Sequence, residues 1–427
     1  MNIPPPIKNV AKALCPIGLL IPQLAIAQDR HSARAAELPA KETREPAGLD
    51  VAGMRLKLSL DSDLFLDDNI YAVQSAKTGD IYLKASPKLA LNKETSRFKL
   101  TTGASVTRFQ YAANATENRW DWLVNGGLEM EPLQQTFVRA RASLAHSHED
   151  RGDPNHDYSS VSPTPYDLLQ TELSFSRELG KLRANVEGSY YRYDYQDTLN
   201  RAGGLIHNQD RDRSLATIKA KATYRFSPGY SVVVRGEWNR INYRLPLDDT
   251  GINRDSSGVR LTGGIYLSLT NVLDGEVFAG YQRRTYVSPA LHTFASPLYG
   301  AALIWSATRK TRVRVSVDRR VEETTLAGSK NYVLTTYELA ADHEVTPDLS
   351  LTVSARKGRN DFLTLDAAGL GTLDRRDSLF SLDAAAKYKF GRNFTAGATY
   401  MMVRRNSSAP LSDYARNRLN ISLSASF

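Results

Sequence analysis

The C-terminal stretch Leu419-Asn420-Ile421-Ser422-Leu423-Ser424-Ala425-Ser426-Phe427 alternates strictly between apolar and polar side chains and ends on an aromatic residue. A period of two places the two sets on opposite faces of a β-strand. One face of such a strand suits lipid and the other suits water, which is the pattern of a strand in a transmembrane β-barrel. An ordinary terminal strand of a soluble sheet is the alternative interpretation.

The apolar set of this strand is also typical of the C-terminal signal for assembly into the bacterial outer membrane. A signal of this kind consists of lipid-facing residues and a final aromatic residue. We therefore predict an outer-membrane assembly signal that comprises Leu419, Ile421, Leu423, Ala425 and Phe427.

The N-terminal end has the layout of a secretory signal peptide. Lys8 and Lys12 give a basic start, residues 13–26 form a short apolar stretch, and small residues precede a cleavage site after Ala27. The apolar stretch is too short for a transmembrane helix. We predict a signal peptide at residues 1–27, and the single cysteine, Cys15, lies inside it.

The predicted mature chain has two parts. Residues 28–50 are charged and nearly free of large apolar side chains, which predicts a flexible periplasmic tail. From residue 51 to residue 427 the alternation of a barrel persists. A mature chain without cysteine forms no disulfide and no thiolate metal site, and it suits an oxidising periplasm.

Composition supports a barrel and excludes other classes. The mean hydropathy of −0.40 excludes a helical membrane protein. Tyrosine (21 residues) outnumbers phenylalanine (13 residues), and polar residues are common, as expected when half of every strand faces water. The formal net charge of +9 is spread along the strands, so we expect no nucleic-acid partner.

The predicted connections between strands alternate between short and long. Short turns are predicted near residues 92–94, 131–134, 179–181, 227–229, 270–272, 308–310, 346–348 and 391–393. Longer polar loops are predicted near residues 67–79, 112–119, 149–165, 197–211, 246–257, 287–296, 322–330, 360–375 and 405–414. This alternation predicts an all-β, up-and-down antiparallel barrel of about 18 strands (16–18), with short periplasmic turns and longer extracellular loops.

The phase of the alternation assigns many charged side chains to the lumen. The lumen-lining basic residues are Arg183, Lys219, Lys221, Arg225, Arg235, Arg260, Arg312, Arg314 and Arg356, with Lys387, Arg416 and Arg418 on the same face. The inward acidic residues are Asp61, Asp63, Glu187, Glu237, Glu276, Asp318 and Glu338. Cross-strand ion pairs that form a polar wall are one interpretation, and a basic passage for an anionic solute or polymer is the other.

Aromatic side chains gather toward predicted strand ends. They are Trp120, Trp122, Trp238, Trp305, Tyr224, Phe226, Tyr388 and Phe390. Membrane-interface girdles have this distribution. Tyr190, Tyr191, Tyr193 and Tyr195 cluster beside a predicted extracellular loop, where tyrosine rings serve either as a girdle or as a surface for sugars.

The sequence predicts no metal site, no cofactor and no catalytic residue. Asp153, Asn155 and Asp157 have the first spacings of a calcium loop but lack its glycine and closing glutamate, so a solvated loop is expected. His146 beside Ser143 or Ser147 is the nearest approach to a nucleophile and base, and no G-x-S-x-G motif is present. We therefore expect that the protein is not an enzyme.

A short motif carries a family resemblance. Asp67-Asp68-Asn69 ends the first strand, Asp80 follows, and Ser86-Pro87-Lys88-Leu89 lies in the second strand. This arrangement resembles the opening of the putative β-barrel porin 2 family, whose members include outer-membrane barrels associated with secretion of exopolysaccharide or capsule. Independently of the resemblance, three polar residues at a strand end predict a tight loop with hydrogen bonds from side chain to backbone.

The sequence leaves several functions open. The resemblance implies a barrel in the outer membrane of a Gram-negative bacterium and an export conduit for exopolysaccharide or capsular polysaccharide. A general diffusion porin for small solutes and a structural or adhesin-like surface barrel are alternatives. Expected partners are outer-membrane lipid and lipopolysaccharide, the barrel-assembly machinery, and periplasmic polysaccharide-export proteins. The longest predicted loop, 149–165, is modest for the inward-folded loop of a diffusion porin.

Overall fold

The computed structural model describes residues 48–270, 272–325, 329–364 and 375–427. Its main sheet contains nineteen antiparallel strands, of which eighteen are long and one, Leu49–Val51, is short. The predicted signal peptide and residues 28–47 of the predicted tail lie outside the described residues. No helix within the described ranges is long and apolar enough to cross a membrane.

The eighteen long strands are numbered here in chain order. They are β1 (Met54–Asp67), β2 (Asp80–Glu94), β3 (Phe98–Tyr111), β4 (Arg119–Leu133), β5 (Thr136–His148), β6 (Pro165–Leu179), β7 (Leu182–Tyr195), β8 (Arg213–Ser227), β9 (Tyr230–Tyr243), β10 (Ser256–Thr270), β11 (Leu273–Tyr286), β12 (Phe294–Trp305), β13 (Thr311–Glu323), β14 (Ser329–Glu344), β15 (Leu349–Thr364), β16 (Arg376–Phe390), β17 (Phe394–Ser407) and β18 (Tyr414–Ser426). Each strand pairs with its neighbours along the chain.

Pairing of the first strand with the last closes the barrel. Strand β1 pairs with β18 from Ser59 opposite Ser426 to Asp67 opposite Arg418. Phe427 extends this pairing, because its backbone exchanges two hydrogen bonds with Leu58, at 3.0 and 2.8 Å. The short strand Leu49–Val51 pairs with the start of β1 and therefore continues the sheet beyond Phe427. Closure confirms the prediction of a barrel of about eighteen strands.

The two ends of the barrel differ in the length of their connections. Residues 134–135, 180–181 and 228–229 connect strands at one end, whereas residues 68–79, 149–164, 196–212 and 244–255 connect strands at the other. Both chain termini of the barrel lie at the end with short turns. Because outer-membrane barrels have short periplasmic turns, the long loops are extracellular.

Alternation along the strands separates an apolar outer face from a polar inner face. The large side chains of Val234, Leu339, Val353 and Leu419 are exposed on the outer face, as a lipid-facing surface requires. The eight aromatic residues predicted for the interface, Trp120, Trp122, Trp238, Trp305, Tyr224, Phe226, Tyr388 and Phe390, are all exposed as well. Tyr190 shares their face, whereas Tyr191 and Tyr193 are buried inside the barrel.

A charge placed on the outer face tests the assignment of the faces. Val353 is 48% exposed in β15. We expect Val353→Arg to lower the free energy of unfolding by about 2–4 kcal/mol in lipid vesicles, because it places a cation in hydrocarbon. Unfolding by guanidinium, followed by tryptophan fluorescence, measures this change.

The adjacent inner position provides the control. Thr352 donates a hydrogen bond of 2.8 Å to Asp342 on the inner face. Thr352→Arg places the same cation beside that carboxylate, so we expect less than half of the effect. Equal destabilisation by the two variants would contradict the assignment.

Candidate functional site

Charged side chains on neighbouring strands pair across the inner wall. Lys219 lies opposite Glu187 in the register of β8 and β7, and its Nζ is 3.1 Å from the carboxylate. Arg235 pairs with Glu276, two strands away around the wall. Further along the same wall, Arg260 is 3.7 Å from Glu237.

Several other predicted lumen residues also face groups of opposite charge. The closest nitrogen of Arg356 is 3.5 Å from Glu338, Lys88 is 2.5 Å from Asp61, and Arg183 pairs with Glu178. Arg312 lies opposite Asp342 in the register, while Lys221 lies opposite Asn185 and Arg235. Much of the predicted basic lining is therefore compensated by cross-strand ion pairs.

Uncompensated cations lie toward the periplasmic end of the lumen. Arg225 lies opposite Ser231, and Arg314 lies between Ile304 and Ala340. Lys387 lies opposite Ser350 and Gly397. Within the described part of the chain, Arg225, Arg314 and Lys387 have no ion-pair partner. Three cations of the predicted lining without an ion-pair partner therefore lie at the end of the lumen that faces the periplasm.

The loop of residues 149–164, between β5 and β6, crosses the extracellular mouth of the barrel. Asp150 is 3.5 Å from Arg416 of β18, and the Gly152 carbonyl accepts a hydrogen bond of 3.2 Å from Arg405 of β17. Farther along the loop, Asn155 Oδ1 accepts a hydrogen bond of 2.6 Å from the hydroxyl of Thr324, which follows β13. The loop therefore reaches the wall opposite its own strands.

This position corrects the expectation of a solvated loop. Glu149, Arg151, Asp153 and His156 are buried. Asp153 and Asp157, which have calcium-loop spacing, accept hydrogen bonds from backbone N–H groups two residues ahead, as turn residues do. The expectation that the loop is too modest to fold inward is also wrong, because bonds at its tip replace the contacts that greater length would provide.

Buried ion pairs anchor the base of the loop. Arg151 pairs with Glu117 of the connection between β3 and β4 and donates to the Ser160 carbonyl at 2.8 Å. Arg211 of the connection between β7 and β8 donates to Glu149 at 3.1 Å. Breaking a buried pair by removing one partner costs about 3–5 kcal/mol, so these contacts hold the loop firmly.

Arg405 anchors the tip of the loop. Its side chain is fully buried and donates to the Ser412 carbonyl at 2.7 Å, to Gly152 and to the Tyr158 hydroxyl. The guanidinium lies over the Tyr414 ring, 4.7 Å from its centroid. A Cβ at position 152 would come within 2.7 Å of the Tyr414 hydroxyl, so only glycine fits there without a shift.

The family-like motif closes the barrel seam beneath this loop. Asp67 accepts hydrogen bonds from Arg416 at 2.6 Å and from the backbone N–H of Asn69 at 3.0 Å. Asp68 accepts two bonds from Asn417, at 2.7 and 2.6 Å. Asp80 accepts a bond of 2.8 Å from Asn114. The motif is structural, because it joins the first strand to the last strand and to the second loop.

Aromatic stacks line the inner wall below the mouth. Phe65, Tyr82 and Tyr111 stack across β1, β2 and β3, with centroid distances of 4.7 and 4.5 Å. On the opposite side, Arg213 lies 4.8 Å from the centroid of Tyr193. These stacks were not predicted from the sequence, although inward-phase aromatic residues near the loops of adjacent strands were a signal for them.

The candidate catalytic histidine lies away from the lumen. His146 stacks against exposed Trp122 and bonds to Asp167 at 2.7 Å. His148 bonds to Asp121 at 2.8 Å. Within the described ranges, no group of three or more His, Cys, Asp or Glu side chains is arranged to hold a metal ion.

The sequence of residues 42–427 matches the family described as putative β-barrel porin 2. The chain belongs to this family. The match confirms the resemblance carried by the motif at Asp67-Asp68-Asn69, and together with the closed barrel it identifies an outer-membrane β-barrel of the porin type. Among curated proteins, none matches this chain.

Solved barrel structures resemble this member of the porin 2 family at low sequence identity. The siderophore receptor PirA from Acinetobacter baumannii is 8% identical, with a TM-score of 0.49 over 87% of this chain and 80% of that receptor. OccK3 from Pseudomonas aeruginosa is 12% identical, with a TM-score of 0.45 over 88% of this chain and 96% of that chain. The ferric citrate transporter FecA is 10% identical, with a TM-score of 0.48 over 86% of this chain and 61% of that transporter. Likenesses at this level carry no argument about cargo or mechanism.

Removal of Arg405 tests whether the loop narrows the passage of this porin 2 family barrel. Arg405→Ala leaves the Gly152 carbonyl without its donor, and each buried group left unsatisfied costs about 1–3 kcal/mol. We expect the open probability in planar bilayers to rise by roughly ten-fold. Asn406→Ala, at the neighbouring exposed position, is the control and should leave conductance unchanged. Unaltered conductance of the Arg405 variant would refute the narrowing.

Burial shifts the pKa values of two loop residues in opposite directions. Burial and the Glu149 carboxylate raise the pKa of Asp153 from 3.8 to about 7, although Arg211 opposes this rise. Burial and the Arg151 guanidinium lower the pKa of His156 from 6.5 to about 3, although Asp150 and Asp157 oppose this. Asp153 therefore keeps its proton in the docked loop but loses it more readily when the loop is released. Its contribution to docking weakens as the pH rises from 3.8 to about 7. His156 is neutral in the docked loop and gains a proton when the loop is released, so its contribution weakens docking as the pH falls from 6.5 to about 3. In the pH range that the two shifts share, the two effects offset each other.

Substitution of one of these two residues should reveal the pH dependence that the other gives to the conductance. With Asp153→Asn we expect conductance to rise as the pH falls below 6.5, because only His156 then gains a proton on release of the loop. With His156→Gln we expect conductance to rise as the pH increases from about 4 to 7. Single-channel recordings from pH 4 to 8 measure both profiles, and the double variant should be nearly flat. Flat profiles in both single variants would show that release of the loop does not expose these groups.

Proposed function

We propose that this barrel is a gated conduit in the outer membrane of a Gram-negative bacterium and that it exports an anionic exopolysaccharide or capsular polysaccharide. The observation that carries the proposal is the loop of residues 149–164, which lies across the mouth and is held by ion pairs and hydrogen bonds. Such contacts release without covalent change. A passage closed in this way stays narrow until cargo or a partner displaces the loop.

The inner wall supports a passage for a hydrated cargo. Ion pairs such as Lys219 with Glu187 and Arg260 with Glu237 keep the wall polar below the mouth. A barrel of eighteen strands is wide enough for an aqueous lumen. A polar wall of compensated charges offers a hydrated polymer many weak contacts and no single strong site.

The charge at the periplasmic end supports an anionic cargo. Arg225, Arg314 and Lys387 are uncompensated and lie where cargo from the periplasm would enter. Uncompensated charges of one sign around an entrance attract the opposite charge, because the low-dielectric wall strengthens their field. Acidic polysaccharides would therefore concentrate at this entrance, where we place the periplasmic export proteins that deliver them. The barrel-assembly machinery is the proposed partner during insertion, through strand β18 and Phe427.

A diffusion porin for small solutes is the second candidate. An inward-folded loop that narrows the lumen is the observation that favours it. It differs from the export conduit in its resting state, because a diffusion porin conducts steadily while its loop stays docked. The adhesin-like alternative requires a barrel that stays closed when the loop is released.

Neutralisation of the periplasmic cations tests the choice of cargo. In an Arg405→Ala background, we expect Arg225→Gln, Arg314→Gln and Lys387→Gln together to lower the permeability ratio of anions to cations, because the entrance loses its excess charge. Reversal potentials in a salt gradient measure the ratio. The matched control neutralises a compensated pair, with Arg235→Gln and Glu276→Gln together, and should leave the ratio unchanged. An unchanged ratio in the triple variant would remove the case for anionic cargo.

Deletion of the gene separates the two transport candidates. The export conduit predicts loss of surface polysaccharide with normal uptake of small solutes, and complementation by the wild-type chain should restore it. Complementation by the triple variant should restore less. Normal surface polysaccharide together with impaired solute uptake would instead favour the diffusion porin.

A further inference from the structure

Basic residues gather on the outer face of the barrel at its extracellular end. We name this group the outer basic patch, and it consists of Arg319, Lys357, Arg359, Arg376 and Arg404. All five lie on the outward phase of strands β13 to β17, and Lys357, Arg359, Arg376 and Arg404 are exposed. The patch therefore faces away from the lumen and takes no part in the passage described above.

The strand register places the patch residues side by side. Arg319 lies opposite Thr335, and Thr335 lies opposite Arg359. In the next row toward the membrane, Lys357 lies opposite Phe380, and Phe380 lies opposite Arg404. Two strand spacings, about 10 Å, therefore separate the two cations in each row.

The patch lies directly above the lipid-facing band. In the row below Lys357, Leu339 lies opposite Ala355 and Ala355 lies opposite Leu382. Tyr337 and Phe380, in the row of Lys357, are exposed aromatic residues of the kind found at membrane interfaces. A cation on the outer face costs about 2–4 kcal/mol at the midplane and about 0–1 near the interfaces. The patch is therefore at the level of the outer-leaflet headgroups.

The two ends of the outer face differ in charge. Further outward-phase cations at the extracellular end are Arg108, Arg192, Arg240 and Arg283. At the periplasmic end, Lys93 and Arg177 are the outward-phase cations of the described strands. A general need for interfacial anchors would populate both ends. The asymmetry instead indicates an anionic partner that is found in the outer leaflet.

The patch is only partly neutralised by protein. Asp361 pairs with Arg359 at 2.9 Å and with Arg376 at 2.8 Å. In the part of the chain that the structure describes, Lys357 and Arg404 have no ion-pair partner. The patch therefore keeps a net positive charge beside lipid headgroups.

We propose that the outer basic patch binds the phosphate groups of lipopolysaccharide. Guanidinium groups bind phosphate through two parallel hydrogen bonds, and a lysine adds a point charge. Cations in two adjacent rows across several strands suit a headgroup that carries two phosphates on one disaccharide better than a headgroup with a single phosphate. Bound lipopolysaccharide would fix β13 to β17 in the outer leaflet.

Binding of purified lipid A to the full-length barrel in detergent tests this proposal. The variant Lys357→Gln, Arg359→Gln and Arg404→Gln removes three cations from the surface without touching the lumen. We expect its affinity for bisphosphorylated lipid A to fall roughly ten- to hundred-fold, because each cation near an anionic lipid surface contributes about five-fold. Wild-type barrel should also bind monophosphorylated lipid A more weakly than the bisphosphorylated form.

The periplasmic pair supplies the matched control. Lys93→Gln with Arg177→Gln removes cations from the same outer face at the other end and should leave lipid A affinity unchanged. Equal affinity of the patch variant and wild type would overturn the proposal. So would equal affinity of the wild type for phosphatidylglycerol and for lipid A, because the patch would then recognise any anionic lipid. Heat-induced unfolding of each variant on gels confirms that the barrel has folded.

Discussion

The structure depends on the requirement that every backbone N–H and C=O in the hydrocarbon layer has a partner within the protein. A sheet meets this requirement only when it closes, because an open edge would expose a row of unpaired groups to lipid. Closure here is made by β1 and β18, and the hydrogen bonds between Leu58 and Phe427 extend it to the last residue. The motif at Asp67 and Asp68 secures the other end of the same seam through Arg416 and Asn417.

Closure then determines where charge can lie. The outer face cannot carry cations in its central band, so charges are confined to the lumen, the loops and the two rims of the outer face. Inside, many cations meet carboxylates across the wall, as Lys219 meets Glu187, whereas Arg225, Arg314 and Lys387 at the periplasmic end do not. At the mouth, the loop is polar and is not held by an apolar core. Buried ion pairs such as Arg151 with Glu117 hold it in position instead.

The sequence predicted the features that depend on local alternation and missed those that depend on distant contacts. The period of two identified the strands and the inward phase of residues such as Lys219 and Glu187, because lipid and water impose it on every strand. Which cations are compensated depends on register between strands, as for Arg235 and Glu276, and a single sequence does not display it. The docked loop was missed for the same reason. Gly152 meets Arg405 and Asn155 meets Thr324 far along the chain, so the loop reads as an ordinary polar connection.

Hydrogen exchange measured by mass spectrometry on the barrel in lipid nanodiscs tests the central claim most directly, that the loop of residues 149–164 is docked in the mouth. The backbone N–H groups of Glu149, Asp153 and His156 donate hydrogen bonds within the loop, which is buried against the wall. If the loop is docked, amides of residues 149–164 exchange far more slowly than those of the exposed loop at residues 245–251. Equally fast exchange in the two loops would contradict it.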